Sequence, residues 1–229
     1  MERLPYLFET VRILHDLALF GGEPTALENA EGVLDEGMTL SATAGPSTVA
    51  EALDLRGMQT YYRSILTGPK RAQLARADLE SSLEIRVTIG AVGEISQSLF
   101  HVGLVRQVLE GDNIGAVPYF ERALRMAEAA EDSITQSYAL RHLGYAHLES
   151  NRVDDAEREF TGSLSLRRVA GFLPGVAAAM LAIVDLRVRQ GRVAEARTLA
   201  EQARSMALGL RAAGVVSFAE IALHSMPSG

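Results

Sequence analysis

Residues 138–171 read Tyr138-Ala-Leu140-Arg141-His142-Leu143-Gly144-Tyr145-Ala-His147-Leu-Glu149-Ser150-Asn151-Arg152-Val153-Asp154-Asp155-Ala156-Glu-Arg-Glu-Phe160-Thr-Gly-Ser163-Leu164-Ser-Leu-Arg-Arg-Val169-Ala-Gly171. Tyr138 to Glu149 reads as one helix, Ser150-Asn151-Arg152 as a turn, and Val153 to Val169 as a second helix. Val153, Ala156, Phe160, Ser163 and Leu164 form an apolar-to-small stripe at helical spacing. Asp154 and Asp155 stand in the first turn, where the helix dipole favours carboxylates. Gly171 follows the last turn, where the chain needs a left-handed residue.

The pattern of small or aromatic residues at spacings of four and three, seen at Ala156, Phe160 and Ser163, recurs along the chain. It returns at Ala30/Leu34/Gly37, Ala75/Leu79/Ser82, Ala116/Phe120/Ala123 and Ala196/Ala200/Ala203, in steps of 45, 41, 40 and 40 residues. Gly45, Gly90 and Gly171 close three copies at one offset. A fixed period of this length marks stacked repeats, each too small to bury its own apolar face. The predicted helix pairs run over about 5–20 and 24–44, 47–66 and 69–89, 92–110 and 114–130, 133–149 and 153–170, and 174–190 and 193–209, with a last helix over 212–225. The expected organisation is a single all-α array over 1–229, with repeats over about 4–45, 46–90, 91–131, 132–171 and 172–210 and a capping helix over about 211–226. Pro5, Pro24, Pro46, Pro69 and Pro174 fall at helix starts, where a missing N–H costs little; Pro227 lies in the tail. Pro118 follows Asn113, the expected cap, and should delay or kink its helix.

Composition narrows the function. Hydrophobic residues make up 48% and charged residues 22%, which excludes a disordered chain. The formal charge of −7 argues against a nucleic-acid or anionic-membrane surface. With no cysteine, thiolate metal sites and Cys nucleophiles are excluded. With Glu2, Arg3, Glu9, Arg12 and Asp16 among the first twenty residues no signal peptide is expected at the start, and the uncharged run Val169–Val184 is broken by Gly171, Pro174 and Gly175. A cytoplasmic location is expected. All basic residues except Lys70 are Arg, a composition expected of a GC-rich bacterium.

Leu140-x-x-Leu143-Gly144…Ala156-x-x-x-Phe160 resembles the tetratricopeptide repeat (TPR) signature. Leu99, Val102, Gly103, Ala116, Phe120 and Ala123 repeat the match in the third copy, and Gly191, Ala196 and Ala203 in the fifth. The family's Trp and closing Pro are absent, and the period is near 40 instead of 34 residues, similar to kinesin light chains and bacterial regulator arrays. The resemblance implies a right-handed superhelical solenoid of antiparallel helix pairs with first helices lining a concave face. It also implies a non-enzymatic, cofactor-free scaffold that binds a protein or peptide, with a ligand- or peptide-sensing regulatory module as the alternative.

No Gly-rich phosphate loop, nucleophile elbow or zincin motif occurs. No catalytic, cofactor or metal residue is assigned. His101 and His142 occupy equivalent places, each two residues before a repeat glycine, and read as polar residues at a helix interface, with a shared metal as the lesser alternative. The carboxylate pairs Asp154/Asp155 and Glu157/Glu159 read as a solvated helix face. By the family register, the concave face should present Tyr61 and Tyr62, then Gln97, Phe100, Leu104 and Gln107, then Tyr138, Arg141 and Tyr145, then Asp185 and Arg189. Tyr and Arg anchor interfaces more often than other residues; ordinary core or solvent positions are the alternative. Asn occurs only at 29, 113 and 151, outside the first helices, so a clamp on a peptide's terminal carboxylate is not expected.

The last helix carries two apolar stripes. Val215, Phe218, Ala219 and Ala222 can cover the fifth copy. Val216, Ile221 and Leu223 have no evident partner, which leaves two readings: a tail folded back over the last repeat, or a homodimer through this helix.

Overall fold

The computed structural model describes residues 2–226, and these form eleven helices and no strand. Pro227 lies outside them. Contacts divide the chain into two compact units. The first comprises the chain up to Leu19 with Glu23–Ala130, and the second comprises Phe20–Gly22 with the chain from Glu131.

The first unit contains α1 (Leu4–Leu19), α2 (Ala26–Ser41), α3 (Pro46–Leu66), α4 (Ala72–Ile89), α5 (Val92–Val108) and α6 (Asn113–Ala129). Consecutive helices pack as pairs, and α3 also touches α1 and α5. Asp112, one residue before the expected cap Asn113, caps α6 by accepting the Gly115 N–H at 2.8 Å. Pro118 does not delay α6: it sits inside the helix. The residue four before it, whose carbonyl loses its helical partner, is Ile114, 81% exposed and thus within reach of water.

The second unit contains α7 (Ser133–Glu149), α8 (Val153–Val169), α9 (Leu173–Arg189), α10 (Val193–Gly209) and α11 (Ala213–Ser225). Helix α9 packs on α7, α8, α10 and α11. Asp132 caps α7 through the N–H groups of Ile134 and Thr135 at 3.1 and 3.0 Å. In the same unit, the Phe20 carbonyl accepts the Gly214 N–H at 2.9 Å, and the Phe20 ring meets Phe172 edge-on at 5.5 Å.

The repeat glycines work by absence. A Cβ on Gly103 would come within 2.7 Å of the Phe120 ring, and one on Gly144 within 2.5 Å of the Phe160 ring. Both rings are fully buried, a burial that contributes about 1.5–3 kcal/mol each. In the fifth pair the sizes invert. Val184 stands where Gly144 does in the fourth, and packs with Ala200, which stands where Phe160 does. The larger side chain of the contact comes from the first helix instead of the second.

The last helix is less bare than its sequence suggests. Val216 packs against Ala177, Ala207, Ala212 and Val215. Leu223 packs against Val184, Ala196, Ala200 and Met226, so Met226, the residue after α11, lies on the last pair. The apolar surface left outside is Phe218, 45% exposed, and Ile221, 62% exposed.

Candidate functional site

The residues expected on the concave face fall into two groups of different character. In the first unit, Tyr61, Phe100, Leu104 and Gln107 are buried, and Tyr62 and Gln97 are half-buried. Tyr62 lies 5.0 Å from the His15 ring and 5.4 Å from Tyr61, and it packs on Ala18, Ala26 and Leu27. Phe100 lies 5.9 Å from Phe120. These side chains are part of the interior of that unit.

In the second unit the expected residues gather on α7 and the facing part of α9. Tyr138, Arg141 and Tyr145 are half-buried, one helical turn apart. The Arg141 guanidinium lies 5.9 Å from the Tyr145 ring centre. Tyr145 sets its ring edge on Phe160 at 5.0 Å and donates its hydroxyl to Asp185 at 3.1 Å. Burial pushes the Tyr145 hydroxyl well above its ordinary range and the Asp185 carboxyl upward. Arg189 stands apart, in an exposed pair with Glu149 at 3.5 Å.

Two residues that the sequence reading passed over matter most. Arg86 and Arg167 are buried, 4% and 1% exposed, each seven residues after the large residue of its copy, Leu79 or Phe160. The signal was present in the repeat. That position is Ala127 and Ala207 in the third and fifth copies, and it lies on the buried stripe in all of them.

The two arginines occupy matching sockets. Nη1 of Arg86 donates to the Glu94 carbonyl at 3.3 Å, and Nη1 of Arg167 to the Gly175 carbonyl at 2.9 Å. Ser82 and Ser163, four residues earlier, each donate to a carbonyl of the paired first helix, Ala50 at 2.7 Å and Ser137 at 2.6 Å. Around Arg86 stands a complete network: Asp54 at 3.3 Å, Ser98 at 2.6 Å, and His101 bonding the other Asp54 oxygen at 3.0 Å. Burial pushes the Asp54 carboxyl up, but His101 and Arg86 outweigh it and hold the group below its usual range. Arg167 has Ser137 Oγ at 3.2 Å and the rings of Tyr138 and Phe172 at 4.6 and 5.8 Å.

The histidines are engaged within their own units, His101 by Asp54 and His142 by Arg141, whose Nη2 lies 3.1 Å from His142 Nε2. Burial, then Arg141, lowers the His142 pKa well below its ordinary value, so Nε2 accepts from the guanidinium. No group of three His, Asp or Glu that could hold a metal ion occurs among the described residues. Of the carboxylates expected on a solvated face, Asp154 is exposed and Asp155 pairs with its neighbours Arg152 and Arg158, while Glu159 is tied across helices to His147 at 2.8 Å and Glu157 to Arg187 at 2.7 Å. No helix among the described residues is long and apolar enough to cross a membrane.

The fold is that of the TPR-like helical repeat proteins. Similar solved structures include BtubC (BKLC) from P. vanneervenii, at a TM-score of 0.64 and 15% identity over 91% of this chain and 82% of that one. A Podosopora anserina putative kinesin light chain with nearly identical TPR-like repeats matches at a TM-score of 0.59 and 16% identity, over 89% of this chain and 94% of that one. In sequence, the chain is 38% identical over 81 residues to the Regulatory protein AfsR of Streptomyces griseus. That stretch is 35% of this chain but 8% of the relative, so the chain matches a small part of a much longer protein. No family model matches.

Proposed function

We propose that the chain is a non-enzymatic, cytoplasmic scaffold, one five-copy array that binds a partner protein or peptide across its first helices. The Tyr138–Arg141–Tyr145 row of α7 is the anchor. The observation that carries this reading is the clustering of amphipathic side chains there, half-exposed and adjoining Asp185, while Tyr61, Phe100 and Leu104 are withdrawn into the interior. Tyr and Arg in such a row supply the contact area and hydrogen bonding that interface anchors use. Arg141→Ala with Tyr145→Ala is expected to reduce affinity capture of the native partner by about tenfold or more, as hot-spot truncations do, while the helical circular dichroism is unchanged. Unchanged capture would move the binding surface elsewhere. The likeness to part of a regulatory protein favours a second reading, in which the same row senses a ligand or peptide and alters affinity for an output partner.

Self-association through α11 is a subordinate proposal, supported by the exposed Phe218 and Ile221 and no longer by Val216 or Leu223, which pack within the chain. Light scattering at micromolar concentration is expected to give a dimer mass, and Phe218→Glu with Ile221→Glu a monomer mass. A monomer mass for the unaltered chain removes the proposal.

A further inference from the structure

The two arginine sockets differ at one decisive place. Gly57 and Gly144 are equivalent, since a Cβ on either would strike the large residue of the paired helix, Leu79 at 2.6 Å or Phe160 at 2.5 Å. Three residues before each stands the side chain that faces the buried arginine. In the second copy it is Asp54, the counter-charge of Arg86. In the fourth copy the equivalent residue is Arg141, whose charge bears on Arg167. The position that holds an anion for one buried guanidinium therefore holds a second cation for the other.

The consequences are visible atom by atom. Arg167 Nη2 and Arg141 Nε are buried and have no hydrogen-bond partner. The groups that shift Arg167 are Arg141, Tyr138 and Tyr145, and Arg167 in turn bears on His142; none of these is a carboxylate. Burial, then Arg141, lowers the Arg167 pKa to about 10, which still leaves it charged at neutral pH. Arg141 acts on the Asp185 carboxyl, whose oxygen already accepts from Tyr145. Buried charge without a partner is costly, and buried donors are normally satisfied. A second arginine in the place of a carboxylate raises that cost unless an anion is supplied from outside.

We infer that Arg141 and Arg167 form a binding site for an oxyanion, a carboxylate or a phosphate group, carried by whatever the second unit binds. Arg141 is half-buried and reaches the surface, Tyr138 stacks on Arg167, and the unsatisfied Nε and Nη2, which are covered as the chain stands, meet the ligand's oxygens once the Arg141 side chain swings outward to admit the anion. Guanidinium pairs suit such groups because planar N–H forks match planar or tetrahedral oxyanions. The site rests on the reading of the α7 row as a binding surface and names the chemistry recognised there.

The test titrates the full chain with inorganic phosphate and, separately, acetate at ionic strength held constant with chloride, following the Arg141 and Arg167 Nε–Hε resonances. A saturable shift of both resonances is expected with at least one anion, and the arm that saturates at lower concentration assigns the oxyanion. Arg141→Asp restores the second-copy arrangement. It is expected to weaken anion binding about tenfold or more, since its carboxylate occupies Arg167, and to raise the melting temperature. Arg141→Gln, which removes one cation without adding an anion, is expected to weaken binding with less change in melting. No saturable shift in the unaltered chain, or equal binding by Arg141→Asp, overturns the site. Loss of partner capture in the Arg141→Ala/Tyr145→Ala chain would then still stand for the binding surface, so the two readings fail separately.

Discussion

Replacing Arg86 with Met is expected to destabilise the first unit by about 3–5 kcal/mol, the cost of removing one member of a buried ion pair. Arg86 is 4% exposed and its partner Asp54 3% exposed. Without the guanidinium, Asp54 keeps only His101 at 3.0 Å and a distant Ser98 hydroxyl at 3.5 Å. The carboxylate must then stay charged in a poorly compensating site or take up a proton, and either route costs stability. Ser98 and the Glu94 carbonyl also lose a donor. The double replacement Arg86→Met with Asp54→Leu is expected to recover most of the loss, because apolar groups that fill the same volume remove the desolvation cost along with the attraction. Urea unfolding followed by circular dichroism reads both. A loss for Arg86→Met within about 1 kcal/mol, the range of exposed pairs, would show that the network contributes little.

The helix pairs were legible because their cause is local and periodic. Ala156, Phe160 and Gly144 lie within one copy, and in the third and fourth copies the first-helix glycine accommodates the ring of the paired second helix. The Val184–Ala200 inversion shows why the fifth copy still folds alike although its aromatic is gone. The cap expected at Asn113 falls one residue early, because Asp112 offers the carboxylate. Burial depth was less legible. Helix register placed Tyr61, Phe100 and Leu104 on a first-helix face, but depth depends on what neighbouring helices lay over that face, and all three are interior. The buried arginines were hidden for a related reason. A charged residue on an apolar stripe looks like surface until its partner is known, and Asp54 lies 32 residues before Arg86 in the chain. At the C-terminal end, Val216 and Leu223 looked bare because their partners come from α9, α10 and Met226.

Acidification from neutrality to pH 4 is expected to cost the first unit about 3 kcal/mol through His15 alone, at about 1.36 kcal/mol per unit of pKa difference. His15 is 4% exposed and packed 5.0 Å from Tyr62. Its Nε2 lies 2.7 Å from Gln59 Oε1, and Gln59 in turn donates to the Leu27 carbonyl at 2.6 Å. The ring therefore donates through Nε2 while neutral. Burial lowers its pKa from 6.5 to about 4, against the Gln59 hydrogen bond and with the help of His101 and Arg12. Above pH 6.5 the ring is neutral in folded and unfolded chains alike, and the full stability is present. Between 6.5 and 4 the unfolded chain binds the proton and the folded chain does not, so stability falls with pH and this contribution levels off below 4. His142 acts in the same direction within the second unit. The measurement is the urea midpoint between pH 7 and 4 for the unaltered chain and for His15→Gln, whose amide can still donate to Gln59 but cannot titrate. The variant is expected to lose much of the slope between pH 6.5 and 4; identical slopes would mean that His15 takes up its proton without unfolding the site.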